Sequence, residues 1–274
     1  MDLILILKAI ILGIVEGITE FLPVSSTGHL ILFNHFLDFP EEFAVMFDII
    51  IQLGAILAVV FYFRNRIIES LKNIKPGQWG FKFWLLILIA FLPSAFLGLI
   101  FDDYIAKYLF SPFTVSIALI IGAVLMIAVE KIHKPTRNDD IVEVGAKRSL
   151  LIGLAQCMSL FPGMSRSAST IIGGMMVGLS VKAAAEFSFF LAIPTMFAAT
   201  GYSLIKGIAE MTSIEWVALT VGFIVSFATA LVVVDKFISF LGKHSLKPFA
   251  YYRLVAGAVM LLLIITKIVV IKTL

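Results

Sequence analysis

The sequence has few charged residues and almost no cysteine. Of its 274 residues, 14% are charged, whereas about a quarter of a typical soluble domain is charged. The single cysteine, Cys157, excludes an internal disulfide framework and is expected to fill apolar space. Alternating short strands, as a membrane barrel requires, are absent. No block of basic residues accompanies the net charge of +3, so no nucleic-acid partner is expected.

Hydrophobic residues make up 61% of the chain, and its mean hydropathy is +1.07. Long apolar stretches recur along the whole length, so the sequence predicts an all-α polytopic membrane protein. Six stretches are long enough to cross a bilayer: 43–63, 83–101, 113–129, 183–205, 216–234 and 250–270. The chain begins Met-Asp without a basic region, and no cleavable signal peptide is expected.

Two further apolar segments are interrupted before they can cross. Residues 3–15 are too short to span, and Pro23 stops the helix before a polar turn and an apolar return through 30–37. Residues 149–181 repeat this order of short helix, proline–glycine break, polar turn and apolar return. We interpret both segments as re-entrant helix pairs, which must be buried in protein or line a wet cavity.

The two interrupted segments also align with each other. In this repeat alignment, GIVEGITEFLPVSSTGHLI lies over GLAQCMSLFPGMSRSASTI without a gap, so Glu16 meets Gln156 and Ser26 meets Arg166. Shared composition is an alternative explanation, but the matching order of elements favours duplication. Each half crosses three times, so the halves are expected to be inverted repeats. We predict a single membrane domain with repeats at about 1–130 and 149–274, joined by a link at 131–148.

Lysine and arginine concentrate in three links, 64–82, 131–148 and 236–253, which include Arg137 and Arg253. The positive-inside rule places these links in the cytoplasm. The first re-entrant pair then dips from the outer face and the second from the inner face. The end of each pair that reaches into the membrane is here called its tip. Two tips that meet near the midplane would form one site, so their polar residues are expected to converge.

The first tip carries ionisable residues, which are costly at membrane depth and are therefore candidates for function. Glu16 and Glu20 lie one turn apart on one helix face. They could hold a divalent cation, orient His29 or transfer protons; a surface pair facing water is the alternative. His29 could act as a base toward Ser26 or Thr27, attack phosphorus itself, or be purely structural.

The second tip carries Arg166 between Ser165 and Ser167. A guanidinium suits phosphate oxygens, and N–H groups at the start of the next helix add to it, so the tip is a candidate phosphate cradle. The alternative is an arginine that snorkels to the membrane interface. Gln156 could contact a ligand or bond a partner helix.

Two polar residues on the first crossing, Asp48 and Gln52, also lie one turn apart. They could support the same cavity as the tips, or they could hold neighbouring helices together.

The stretches EGITEFLPVSSTGH and PGMSRSAS, with IQLG at 51–54, resemble the undecaprenyl-diphosphate phosphatase family, known also as bacitracin-resistance proteins. The resemblance covers nearly the whole chain. It implies an integral bacterial cell-membrane enzyme of inverted repeats that removes the terminal phosphate of undecaprenyl diphosphate. The product is recycled as the lipid carrier for peptidoglycan synthesis, and bacitracin resistance follows. The resemblance further implies a divalent cation, Mg²⁺ or Ca²⁺. Where the family often has glycine after SRS, this chain has Ala168.

The resemblance and the residue chemistry together give one predicted site. The catalytic residues are Glu16, Glu20, Ser26, His29 and Arg166, with Glu16 and Glu20 as metal ligands. The substrate-binding residues are Ser25, Thr27, Gln156, Ser165 and Ser167.

In the working mechanism, Arg166 binds the diphosphate, and Ser26, activated by His29, attacks the terminal phosphorus. His29 as the direct nucleophile is the close alternative. The rival function is an inverted-repeat transporter or flippase of polyprenyl phosphate, because broken helices and midplane charges are also typical of transporters. The expected partners are the polyprenyl diphosphate and the bilayer, with a homodimer left open, and the site is expected to open to the extracytoplasmic side.

Overall fold

The chain folds almost entirely into helices. The computed structural model describes residues 2–134, 140–206 and 211–268, and within these ranges it contains no strand. The helices are α1 Asp2–Thr19, α2 Ser26–Phe36, α3 Glu41–Tyr62, α4 Arg64–Lys72, α5 Trp79–Tyr108, α6 Pro112–Ile132, α7 Ala146–Gln156, α8 Arg166–Met176, α9 Val181–Lys206, α10 Ser213–Leu241 and α11 Lys247–Ile265. Short 3-10 turns lie at Ile141–Glu143 and Cys157–Leu160.

Six of the described helices, α3, α5, α6, α9, α10 and α11, are long and apolar enough to cross a membrane. They correspond one to one with the six predicted crossings, which are confirmed. Helices α5 and α9 continue through Pro93 and Pro194. Such prolines are tolerated in membrane helices because neighbouring groups satisfy the main-chain atoms that proline leaves unbonded.

The predicted bounds of the links between the crossings agree only in part with the helix bounds of the structure. Helix α4 occupies much of the first link, and Arg137 of the second lies outside the described residues. The predicted extent of the third link is wrong, because α10 continues to Leu241 and α11 already begins at Lys247. Arg253 therefore lies inside a helix, where its exposed fraction is 0%. Counting charges along the chain missed this because the count ignores the direction in which a side chain points.

The two interrupted segments share an unusual local geometry. Helices α2 and α8 both have 11 residues, and each follows an N-cap serine with a left-handed φ, 72° at Ser25 and 71° at Ser165. Each serine hydroxyl accepts a hydrogen bond from the N–H three residues later, at Gly28 and Ala168. Positive φ is uncommon outside glycine. Its occurrence at both aligned positions supports the repeat alignment.

Helices from the two halves of the chain are interleaved. Helix α1 packs along α10, whereas α7 packs along α5, so each of these short helices lies on a long helix of the other half. Glycine allows the close approach: a Cβ on Gly13 would lie 2.6 Å from the Gly222 oxygen, and one on Gly153 would collide with the main chain of Ala90. Helix α3 packs on α9, and α6 on α11, across the same division.

We expect the α1–α10 contact to be sensitive to a single methyl group. In Gly17→Ala, the new Cβ would lie 2.7 Å from the Ser226 oxygen and 2.9 Å from the Ala230 nitrogen. Such overpacking costs about 1–3 kcal/mol. The matched control is Gly201→Ala, where no atom lies within 4 Å of the added Cβ, and where a helical alanine stabilises by up to about 1 kcal/mol. Thermal unfolding in detergent measures the change in stability of both variants. Equal changes in Gly17→Ala and Gly201→Ala would contradict the close packing of α1 on α10.

Candidate functional site

The two tips meet at a pair of oppositely charged side chains. One carboxylate oxygen of Glu20, Oε1, accepts a hydrogen bond from Arg166 Nη2 at 3.2 Å. The other, Oε2, accepts one from the Ser26 hydroxyl at 2.6 Å. A third link runs from the Ser167 hydroxyl to the main-chain oxygen of Leu22, at 2.9 Å. The expected convergence of the tips is therefore found in the structure.

The guanidinium of Arg166 is held in place by residues of α8, α9 and the first tip. Its Nη1 donates to the main-chain oxygen of Ser188 at 3.0 Å and approaches the hydroxyl of the same residue at 3.3 Å. Thr170 donates to that hydroxyl at 2.6 Å, and the ring of Phe21 lies 5.6 Å below the guanidinium carbon. Arg166 Nε is buried and has no hydrogen-bond partner among the described residues, so its N–H is left for a ligand.

The sequence analysis did not single out Ser188. The repeat alignment could have identified it, because the alignment, continued without a gap, places Ser188 over Asp48. Both residues are polar and lie on aligned crossings, α3 and α9. Asp48 accepts a hydrogen bond from Asn34 at 3.0 Å, which joins α3 to α2.

Glu16 differs from Glu20 in that no N–H or O–H group of the described residues donates to it, and its carboxyl lies beside that of Glu20. It is fully buried, and neither of its carboxylate oxygens accepts a hydrogen bond. An ionised carboxylate in such a position is costly, so Glu16 requires a proton or a cation. The described residues contain no group of three His, Cys, Asp or Glu side chains that could hold a metal ion. A cation at Glu16 and Glu20 would therefore need further oxygen ligands, which a bound phosphate can supply.

His29 is bonded on both sides of its ring. Nδ1 lies 2.7 Å from the main-chain oxygen of Ser25, and Nε2 lies 2.5 Å from the hydroxyl of Tyr252. A carbonyl only accepts, so Nδ1 carries the proton and Nε2 accepts from the tyrosine. The expected contact from His29 to Ser26 is not the one found, because the ring turns back to the preceding carbonyl and Ser26 bonds to Glu20.

The remaining predicted site residues surround the tips. Ser25 and Ser165 are the N-caps of α2 and α8, and Ser165 also contacts the hydroxyl of Ser167 at 3.1 Å. Thr27 is partly buried in the first turn of α2. Gln156 is buried and donates to Ser94 on α5 at 2.5 Å and Thr195 on α9 at 3.3 Å, so the contacts found are those of a helix-to-helix link.

The combined site is suited to an anion. Helices α2 and α8 both begin at the tips, and the N–H groups at a helix start carry partial positive charge. Arg166 adds a guanidinium, whose charge is partly balanced by Glu20, and an unpartnered N–H. Next to these groups, Ser26 supplies a hydroxyl whose proton already points to a carboxylate. The arrangement can bind a phosphate and activate an oxygen nucleophile beside it.

Comparison with known proteins agrees with this chemistry. A family model described as Bacitracin resistance protein BacA matches residues 9–259. A protein of Thermoanaerobacter sp. (strain X514) named undecaprenyl-diphosphatase is 65% identical over 266 residues, covering 97% of this chain and 99% of the relative. Proteins with the same name from Clostridium tetani and Acinetobacter baumannii (strain ATCC 17978) are 51% and 47% identical, over 97% and 94% of this chain and 99% and 95% of their own lengths.

The two glutamates are expected to affect stability in opposite directions. Glu16→Met removes an unpartnered carboxylate and should raise the free energy of unfolding by about 1–3 kcal/mol. Glu20→Met leaves the Arg166 charge uncompensated and should lower it by about 3–5 kcal/mol. Thermal unfolding in detergent with EDTA compares them, each substitution serving as the control for the other. Two changes of the same sign would contradict the assigned environments.

Proposed function

The chain belongs to the family of the bacitracin resistance protein BacA, and we propose that it acts as an undecaprenyl-diphosphatase. It hydrolyses the terminal phosphate of undecaprenyl diphosphate, a phosphoric anhydride, to give undecaprenyl phosphate and inorganic phosphate. The relatives that carry this name align over almost their full lengths. The reaction recycles the lipid carrier for peptidoglycan synthesis, and it confers bacitracin resistance by consuming the diphosphate form.

The observation that carries this proposal is the continuous contact from Ser26 through Glu20 to Arg166. In this proposal Ser26 is the nucleophile, Glu20 its base and Arg166 the phosphate-binding cation, and consecutive hydrogen bonds join the three across the two tips. A transporter or flippase of polyprenyl phosphate requires the binding groups, but it has no use for a hydroxyl bonded to a carboxylate. The hydrogen bonds from Ser26 through Glu20 to Arg166 therefore support hydrolysis over transport.

In the proposed reaction, Arg166 Nε and the N–H groups at the starts of α2 and α8 bind the oxygens of the terminal phosphate. The Ser26 oxygen attacks the terminal phosphorus while its proton passes to Glu20. The bond from phosphorus to the bridging oxygen breaks, and undecaprenyl phosphate leaves with the electron pair. Water then attacks the phosphoserine, inorganic phosphate is released, and Glu20 returns the proton to Ser26.

Glu20 takes the role that the sequence analysis gave to His29. Glu20 is bonded to the Ser26 hydroxyl, whereas both ring nitrogens of His29 are bonded elsewhere. Attack by His29 itself would require Tyr252 to release Nε2. The two nucleophiles are separable because a phosphohistidine is labile in acid and a phosphoserine is stable. A phosphoenzyme that still forms in His29→Gln would exclude direct attack by the histidine.

A divalent cation, Mg²⁺ or Ca²⁺, is proposed to bind Glu16 and Glu20. The unpartnered oxygens of Glu16 favour this position, and oxygen ligands are those that both ions prefer. The diphosphate would supply further oxygen ligands, since the described residues bring no third His, Cys, Asp or Glu side chain to the pair. When bound, the cation would neutralise the negative charge that the leaving phosphate gains.

The proposed setting is the bacterial cell membrane, with the two halves as inverted repeats and the site open to the extracytoplasmic side. The matched geometry at Ser25 and Ser165 and the interleaved packing of the halves support the repeat. The orientation rests on the lysine and arginine residues of the links, which the positive-inside rule assigns to the cytoplasm.

The experiment that tests the function follows phosphate release from C55 polyprenyl diphosphate by the protein purified in detergent, with and without EDTA. We expect cation-dependent release that falls on the order of 10²–10⁴-fold in Ser26→Ala and Glu20→Ala, and that is also lost in Arg166→Ala. The matched control is Ser116→Ala, a buried serine of α6 whose hydroxyl bonds only to the main chain of its own helix among the described contacts.

Each other outcome has a definite meaning. Release that survives Ser26→Ala and Glu20→Ala would place the nucleophile elsewhere. An intact, folded protein that releases no phosphate would favour the transporter, and a lipid-flipping assay in vesicles would then be expected to show transport that Ser26→Ala leaves intact.

A further inference from the structure

Arg253 on α11 is the largest fully buried side chain among the described residues. A guanidinium has five N–H donors, and here all five are matched by main-chain oxygens. Nε donates to Leu119 at 3.2 Å, Nη1 to Pro23 at 3.3 Å and Met164 at 3.0 Å, and Nη2 to Ala118 at 3.2 Å and Gly163 at 3.1 Å. These contacts gather three separate segments of the chain around one side chain.

The oxygens that Arg253 binds belong to both tips. Pro23 lies just before the N-cap serine of α2, and Gly163 and Met164 lie just before that of α8. Pro23 and Gly163 correspond to each other in the repeat alignment. Main-chain oxygens at broken helices have no helical partner, and in a membrane they must be satisfied from within the protein. One side chain satisfies equivalent oxygens of both halves at once.

We propose that Arg253 is a positioning residue that sets the separation of the two tips, and with it the distance from Ser26 and Glu20 to Arg166. Its described hydrogen bonds all go to main-chain oxygens, so it acts through the placement of the tips and not on the substrate. Its remaining two bonds, to Ala118 and Leu119, anchor both tips to α6. The effect on turnover rests on the proposed hydrolysis, whereas the effect on the tip separation does not.

Gly122 provides an independent way to disturb this contact. A Cβ on Gly122 would lie 2.8 Å from the guanidinium carbon of Arg253 and would overlap Nη2. In Gly122→Ala the guanidinium must therefore leave its present position, although every donor and acceptor remains in the protein. The control is again Gly201→Ala, because its new Cβ has no atom within 4 Å.

Steady-state kinetics give the first test. A displacement of about 1 Å at a site costs on the order of 10²-fold in rate, and we expect kcat to fall by that factor in Arg253→Met and Gly122→Ala, with a smaller change in KM. Arg253→Lys should be intermediate, since an ammonium has three donors for five oxygens. Gly201→Ala should behave as the parent. An unchanged kcat in Arg253→Met or in Gly122→Ala would overturn the proposal.

A distance measurement tests the same proposal without activity. Spin labels at Ile18 and Phe161, exposed residues near the first and second tips, are introduced into a Cys157→Ser background. We expect a narrow distance distribution in the parent and a broad one in Arg253→Met and Gly122→Ala. A distribution that stays narrow in both variants would overturn the proposal.

Labels at Leu92 and Ile224, exposed residues on α5 and α10, show whether the whole fold has loosened. The distance distribution between these two labels must stay narrow in every variant for the broadening to be assigned to the tips. Broadening of the distributions of both label pairs together would also overturn the positioning role. Should the parent release no phosphate, the proposed function fails, and the distance measurement still decides the role of Arg253.

Discussion

The ion pair between Arg166 and Glu20 joins the two halves of the chain where both interrupted segments break, just after α1 ends and at the first residue of α8. A buried ion pair repays its desolvation only when its remaining donors and acceptors are also bonded. Ser188 accepts from Nη1 of the arginine and Ser26 donates to the second oxygen of the carboxylate, whereas Nε of Arg166 is left unbonded. The contact that closes the fold therefore also brings the reactive groups together, and the site cannot be separated from the assembly of the halves.

Aligned positions in the two halves carry complementary chemistry on a shared scaffold. Ser26 corresponds to Arg166, and Glu16 to Gln156. The first half supplies acids and a hydroxyl, while the second supplies a cation and neutral hydrogen-bonding groups. Two identical tips would bring like charges together, which is unfavourable in a medium of low dielectric constant. The difference between the two tips replaces that repulsion with the attraction between Glu20 and Arg166.

Much of the fold could be predicted from the sequence because hydropathy reports directly on helices that cross a membrane. The meeting of Glu20 with Arg166 could also be predicted, since polar residues in the tips of both halves are costly in lipid and are therefore expected to contact each other. Arg253 and Tyr252 could not be found in this way. Their partners, Pro23 and His29, lie near the opposite end of the chain, and no local pattern encodes such contacts. The sequence analysis paired Ser26 with His29, whereas the structure pairs it with Glu20. The reason is related, since the direction of the His29 ring depends on a rotamer and not on spacing.

The packing of α1 on α10 has a consequence for how the protein is made. Helix α1 is not among the helices that are apolar enough to cross a membrane alone, and α10 begins only at Ser213. At a synthesis rate of ~5–20 residues per second, the ribosome takes about 10–40 s to pass from Thr19 to Ser213. Throughout that interval Gly13 and Gly17 lack the helix against which they pack. The N-terminal segment therefore completes its packing only after α10 has been synthesised, when translation is nearly finished.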